Sequence, residues 1–439
     1  MKALFSRLAG HNKQYTAHIN TSAGVVTGLV RIQLETRDAR LLHTPVDFSV
    51  EIIGAKTRTA ITKRVTPGEA HTSWIAFHSH LLENGPYTIR WRAAEVTGRI
   101  SIRVRNSGEL ASHVTGQLRG AQVPLFLTEP CDSALYENAS DRLQPWYDQP
   151  NCHALLDELL DRGRVPAELE SSFRQFLDEG WFEIENHLDD RLIKRLNAAM
   201  DHAAQTGDSG FTPGSSQRLQ RMHVKYDSFW DVTTYQKTQQ IIDTLMQTPS
   251  TACQVIGFIN GTQQAPHQDA IHLSVFPQGY MCGAWVALED VQPDSGELVI
   301  YPGSHRWDLV MMKDAGIDKV SHGRWSEFAN TVEVRWQKLV DQSGAEPMVY
   351  RPKRGSLLVW HERLMHGGSR RLNKSLTRKS CVTHHFAQGG IIYYDSTGLP
   401  GRVIERDAKK KLISRKTVRQ LISHLRRAES RVVSNKPTR

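Results

Sequence analysis

The sequence predicts a mainly β protein with flanking helices, in which an antiparallel β-sandwich precedes a second β-rich domain. Three observations carry that expectation. Period-two alternation recurs between about residues 25 and 104, the pattern of strands with one buried face. Clear helical periodicity follows from about residue 165. Later, apolar runs too short for helices, such as "SLLVW" (356–360), sit between turn signals.

The first module is expected over residues 1–106, with strands in "GLVRIQLET", "VDFSVEIIG", "SWIAFHSHL", "PYTIRWRAA" and "GRISIRVRN". Pro67-Gly68 and Gly85-Pro86 supply turns between them. Several short strands at this spacing suggest a sandwich. The stretch "LLENGPYTIRW" resembles the last hairpins of immunoglobulin-like modules. Packing or dimerisation is a plainer role for such a module than glycan or ligand binding. Residues 107–164 read as a linker with a short helix near His153 to Arg162. A second domain is expected over 165–400. It opens with "PAELESSFRQFLDEG", where Pro166 suits a first helical turn. A short strand, "WFEIEN", comes next, then the amphipathic helix "DDRLIKRLNAAMDHAAQ" behind an Asp cap. The polar stretch 205–236 and the mixed stretch 307–347 are candidate lids.

Composition bounds the setting. A chain of 439 residues with 39% hydrophobic residues is long enough for two or three domains. Its five cysteines, Cys131, Cys152, Cys253, Cys282 and Cys381, form no C-x-x-C and fit neither a disulfide framework nor a zinc knuckle. No apolar run could span a bilayer and Arg7 interrupts any signal-peptide core, so a cytoplasmic protein is expected. The net charge is +9, but from Arg402 onward thirteen Lys and Arg oppose three acids, leaving about −1 for the rest. This basic tail, 401–439, reads as helical, with Leu412, Ile413, Val418, Leu421, Ile422 and Leu425 along one stripe. The stripe is expected to dock on the body or a partner subunit, with peripheral contact to an anionic membrane as the alternative.

Histidines next to an aspartate raise the question of a metal. His187-Leu188-Asp189 sits where a helix begins, so Asp189 is expected to cap it and His187 to lie at the surface. His267-Gln268-Asp269 differs. On a strand, residues i and i+2 point to one face, so His267 and Asp269 would project together. A facial triad needs a second histidine from elsewhere, and "SLLVWHERLMHGG" offers His361 and His366, of which His366 is the better candidate. His305 is expected to cap a turn, with contact to substrate as the alternative. His272, His384 and His385 are expected to be supporting or core residues.

The order H-x-D, a tryptophan-bearing strand, "ALEDVQPDSGELVIYPGSHR", "GSLLVWHERLMHGG" and an arginine in the next strand resembles the phytanoyl-CoA dioxygenase family of Fe(II)/2-oxoglutarate oxygenases. The similarity runs from about Phe173 to Phe386 and includes "FLDEGWFEIENHLDDRLIKRLN". It implies a double-stranded β-helix, or jelly roll, for the second domain. It further implies His267, Asp269 and His366 as iron ligands, and Arg378 as the partner of the distal carboxylate of 2-oxoglutarate. Gln268 and Trp285 fall where the family lines the cosubstrate pocket. A guanidinium suits the carboxylate because it grips bidentately, whereas Arg370 and Arg371 lie too near His366. The implied cofactors are Fe(II), 2-oxoglutarate and O2. The implied reaction hydroxylates an aliphatic C–H of a small molecule or a lipid or glycan precursor, with release of succinate and CO2. Aspartate at 269, rather than a small residue, favours hydroxylation over halogenation. The same iron site would also serve desaturation, ring closure or demethylation. A nucleic-acid oxygenase is the first alternative, raised by the tail and opposed by the near-neutral body, which has no basic, aromatic-lined stripe. A non-catalytic jelly-roll binding protein is the second, opposed by the presence of every residue that iron and cosubstrate need.

Overall fold

Alternation along the N-terminal strands resolves into two facing sheets. The computed structural model describes residues 14–404 apart from 22–23, 140–143, 208–210, 213, 216–217 and 321–324. The basic tail beyond residue 404 and its apolar stripe therefore lie outside the described residues. One sheet orders Tyr15–Ile19, Leu29–Thr36, Trp74–His78 and Phe126–Leu127. The other orders Val25–Val26, Val96–Val104, Gly85–Ala93, Val46–Ile53 and Arg58–Val65. Phe48, Val50, Ile52, Ile89 and Trp91 from the second sheet meet Ile32, Leu34, Ile75 and Phe77 from the first in a dry core. All five strands expected in this region form. Arg58–Val65 was not anticipated, because its inward positions include Thr59 and Lys63, which blur the hydrophobic alternation of an edge strand.

The four-stranded sheet also has a buried outer face. Leu29, Trp74 and Ala76 join Leu110, Val114 and Leu118 of the helix Glu109–Gly120, within one apolar cluster that continues into the C-terminal half. Hydrogen bonds cross the same seam. His80 Nε2 donates to Gly389 O at 2.9 Å and Asn20 Nδ2 to Gly401 O at 3.0 Å. The stretch 107–164 thus carries the helices Glu109–Gly120 and Cys152–Asp161, and its buried side chains belong to the shared cluster.

The C-terminal half is a double-stranded β-helix. Its larger sheet orders Trp181–Ile184, Leu357–His361, Met281–Ala287, Ser380–Ala387, Ser250–Phe258 and Leu219–Gln220, and its smaller sheet orders Met348–Tyr350, Leu298–Ile300 and His366–Gly368. Trp285, Leu358, Trp360 and Val382 from the larger sheet pack against Ile300 and Tyr350 from the smaller one. Alternate residues, such as Leu357, Val359 and Cys381, face the helices Glu170–Glu179, Asp190–Thr206 and Gln236–Met246. Asp189 caps the second of these helices, accepting from Leu192 N at 2.8 Å. His187 corrects the expectation of a surface residue: its ring is buried and Nε2 bonds Thr238 Oγ1 at 2.8 Å, because Gln236–Met246 packs over it. All five cysteines are buried free thiols. Among the described residues, no helix is long and apolar enough to cross a membrane.

Candidate metal centre

Side chains of Leu357–His361 alternate across the larger sheet, so Leu358 and Trp360 point between the sheets while His361 points the opposite way. A tight turn follows, and the chain re-enters as His366–Gly368, paired on one side with Leu298–Ile300. On the other side His366 forms a single antiparallel bridge to His267. The two residues exchange backbone hydrogen bonds at 2.9 and 3.1 Å. Glycine is required beside them. A Cβ on Gly367 would stand 2.8 Å from Gln264 O, and one on Gly368 2.9 Å from Gln263 N.

The regular strand expected through His267 and Asp269 does not form. His267 makes only that bridge, and Asp269 opens a 3-10 turn, its carbonyl accepting from His272 N and Leu273 N at 2.9 Å. The side chains converge nonetheless. His267 Nε2 lies 3.7 Å from Asp269 Oδ1, and His366 Nε2 lies 3.8 Å from Asp269 Oδ2. One donor atom from each of His267, Asp269 and His366 falls within 4.8 Å of the others, and all three residues are buried.

Supporting bonds orient each donor. His267 Nδ1 donates to Ala265 O at 2.9 Å and His366 Nδ1 to Leu364 O at 3.0 Å. With Nδ1 donating in this way, each ring presents Nε2 toward the carboxylate. Burial lowers the pKa of His267 well below the usual imidazole value, and His366 adds to the effect, so the ring stays neutral. For Asp269, burial pushes the carboxyl up, but His366, the His384 hydrogen bond and His267 outweigh it and hold the group ionised. Trp360 Nε1 donates to Asp269 Oδ2 at 3.0 Å and His384 Nε2 donates to the same oxygen at 3.3 Å. Trp360 was not anticipated from the sequence, although strand alternation from Leu358 places it on the inner face. Two imidazoles and one carboxylate on one side of a buried space form a donor set that fits a divalent iron.

Arg378 is buried just before the strand Ser380–Ala387. Its Nε and Nη1 have no hydrogen-bond partner among the described residues. The guanidinium carbon lies 5.5 Å from the Trp285 ring and 5.7 Å from the Phe258 ring. Burial lowers its pKa to about 10, with Glu289 and Glu297 opposing, so it remains a cation at neutral pH. Arg370 is exposed, and Arg371 spends its guanidinium on Leu376 O and Lys374 O.

Gln268 is placed differently from Trp285. Its Nε2 donates to Asp308 O and Arg363 O, and its Oε1 accepts from Val310 N and Trp336 Nε1, all at 3.2 Å. Every donor and acceptor of the amide is used, so contact with a cosubstrate would require one of these bonds to break. His361 is equally committed, with Nε2 3.2 Å from Asp148 Oδ1 on the helical side of the sheet. His305 packs against it at 5.6 Å between ring centroids. His272 bonds Ser396 Oγ at 3.1 Å and His385 bonds Thr383 Oγ1 at 2.9 Å.

Residues 176–380 match the family model described as Phytanoyl-CoA dioxygenase (PhyH). Over 145 residues the chain is 27% identical to the peroxisomal phytanoyl-CoA dioxygenase of Bos taurus and 26% identical to that of Homo sapiens, covering 32% of this chain and 38% of each relative. The chain thus spans about two fifths of the length of those relatives. A 45-residue stretch is 49% identical to phytanoyl-CoA dioxygenase domain-containing protein 1 of Danio rerio, covering 10% of this chain and 16% of that protein. Among solved structures, the epimerase SnoN in complex with Fe3+, alpha ketoglutarate and nogalamycin RO gives a TM-score of 0.43 at 17% identity, over 55% of this chain and 98% of that one. EctD from S. alaskensis with 2-oxoglutarate and 5-hydroxyectoine gives 0.38 at 14%, over 51% and 77%. The motif order and the sheet topology agree with this match, so residues 176–380, a little under half of the chain, are similar to the phytanoyl-CoA dioxygenase (PhyH) family.

Proposed function

We propose that this protein is an iron(II)- and 2-oxoglutarate-dependent dioxygenase that hydroxylates an aliphatic C–H bond of a small molecule or a lipid or glycan precursor. The observation that carries the reading is the convergence of His267, Asp269 and His366 within 4.8 Å, with both Nδ1 atoms occupied and both Nε2 atoms directed inward. When bound, iron(II) with 2-oxoglutarate and O2 supplies the oxidising power, and decarboxylation of the cosubstrate yields succinate and CO2.

Each residue has a distinct task in this reading. His267 and His366 offer Nε2 lone pairs, held in direction by Ala265 O and Leu364 O. Asp269 offers Oδ1, while Trp360 and His384 hold Oδ2 and keep the carboxylate from rotating. Arg378 receives the distal carboxylate of 2-oxoglutarate on N–H groups that otherwise lack partners. Trp285 and Phe258 wall that guanidinium and exclude water, which strengthens the pairing.

The test supplies Fe(II) and 2-oxoglutarate to the purified chain with a fractionated metabolite pool. Succinate should form together with a product heavier by one oxygen. Absence of iron binding would leave a non-catalytic binding protein, and turnover with oligonucleotides alone would move the substrate class to nucleic acid.

A further inference from the structure

The near-neutral charge of the described body conceals an uneven distribution. In an antiparallel sheet, residues opposite one another share a face. In the five-stranded sheet, Phe48, Val50, Ile52, Ile89 and Ile102 fix the inner face, so their neighbours face solvent. The outward positions place Arg64 opposite Asp47 and Arg58 opposite Ile53. They also place Arg92 opposite Ser49 and Thr97, Arg99 opposite Arg90, and Arg103 opposite Pro86. Arg105 extends the line past the end of its strand, and all seven arginines are exposed.

Asp47 and Glu51 are the acids among these outward strand positions. Arg64 reaches Asp47 at 3.4 Å, and Arg58 and Arg90 share Glu51 at 2.8 and 3.7 Å. Among the described residues no acid pairs with Arg92, Arg99, Arg103 or Arg105. Arg90 directly across from Arg99 is a like-charge cross-strand pair, which destabilises a sheet. The two ends outside the described residues add no net negative charge. Residues 1–13 contain Lys2, Arg7 and Lys13 with no acid, and residues 405–439 contain twelve Lys and Arg against Glu405, Asp407 and Glu429. Arg92, Arg99, Arg103 and Arg105 thus stand on this face without an acidic partner among the described residues, open to an anionic surface.

We propose that this sheet face docks the protein on an anionic lipid bilayer. The array spans several strands at about 4.8 Å spacing, a broad surface roughly 15–20 Å across. Its other outward side chains are mostly serine and threonine, with no aromatic residue. A specific protein interface would want aromatic or apolar anchors at its centre. Single-stranded nucleic acid would want rings on which to stack bases. A bilayer of anionic headgroups asks only for exposed cations spread over one surface.

Flotation of the full-length chain with vesicles tests this, using phosphatidylcholine alone and phosphatidylcholine mixed with phosphatidylglycerol. The native chain should float with the anionic vesicles and not with the neutral ones, and added salt should release it. The combined variant Arg92→Ser, Arg99→Ser, Arg103→Ser and Arg105→Ser should bind roughly a hundredfold more weakly with the basic tail intact. Lysine at the same four positions should retain binding within roughly threefold, because a headgroup array reads charge rather than guanidinium geometry. Thermal midpoints report whether each variant is folded. Vesicle binding that persists in the serine variant, or fails in the lysine variant while its thermal midpoint is native, overturns the proposal. So does a native chain that prefers polyglutamate or a single-stranded oligonucleotide to the vesicles.

Discussion

A guanidinium buried with two N–H groups unsatisfied costs folding free energy that a bound carboxylate would recover. Arg378 is in that position, and two results should follow. Arg378→Ala should leave iron binding intact but raise the KM for 2-oxoglutarate roughly thirtyfold or more, since one half of a desolvated charge pair is worth about 2–5 kcal/mol. Arg378→Met should melt at or above the native temperature without cosubstrate and lose the upward shift that 2-oxoglutarate gives the native chain. His267→Ala, Asp269→Ala and His366→Ala should each abolish iron binding and succinate formation, whereas His187→Ala should retain both. Spacing and family resemblance pointed to His267, Asp269 and His366, which the fold brings together, and the resemblance with a chemical argument beside it pointed to Arg378, whose role the variants above test. Gln268 shows the limit. A sequence position beside two candidate ligands carries no information about side-chain direction, and here the amide turns away to tie Asp308, Val310, Arg363 and Trp336 together.

At the scale of elements, the two histidine-bearing segments depend on close backbone approach. Gly367→Ala would put a methyl 2.8 Å from Gln264 O, so the bridge between His267 and His366 should open. Iron affinity should then fall by more than the change in melting temperature explains, read by titration of the apo-protein. Trp360→Phe keeps the ring but removes the donor to Asp269 Oδ2. Loss of such an orienting bond typically weakens a metal site about 10–100-fold, with the fold intact. Strand alternation and helix capping made most of these elements readable, down to the Asp189 cap. Beside Trp360 and the helix Glu109–Gly120, three features that escaped are instructive. The edge strand Arg58–Val65 hides behind polar inward residues, the His267 segment substitutes a bridge and a 3-10 turn for a strand, and His187 is covered by a helix distant in sequence.

The whole molecule carries a pH dependence set by buried histidines. Burial lowers His78, His80 and His187 to about 4, and His305 and His385 to about 3, from an ordinary value of 6.5. The unfolded chain takes up protons below about pH 6.5 while the folded chain does not, so their contribution is full above 6.5 and is lost as pH falls toward 4. Glu362 acts in the opposite direction. Burial raises it from 4.5 to about 7, so its contribution is full below about pH 4.5 and fades as pH rises through 7. Five imidazoles outweigh one carboxyl, and chemical denaturation should show stability dropping steeply between about pH 6.5 and 4. Glu362→Gln should flatten the curve on its neutral side.

Residue 106 looks in the sequence like a natural joint, yet Leu29, Trp74 and Ala76 share one apolar cluster with Phe276 and Tyr393 across the seam. A chain begun at residue 107 would bare that surface to water, and should aggregate or bind an apolar dye where the full chain does neither. The seam also bears on exchange between relatives. Recombination at this joint would bring together two surfaces not shaped for each other, so a swapped sandwich would need matching apolar changes on both sides of the seam before the hybrid could fold.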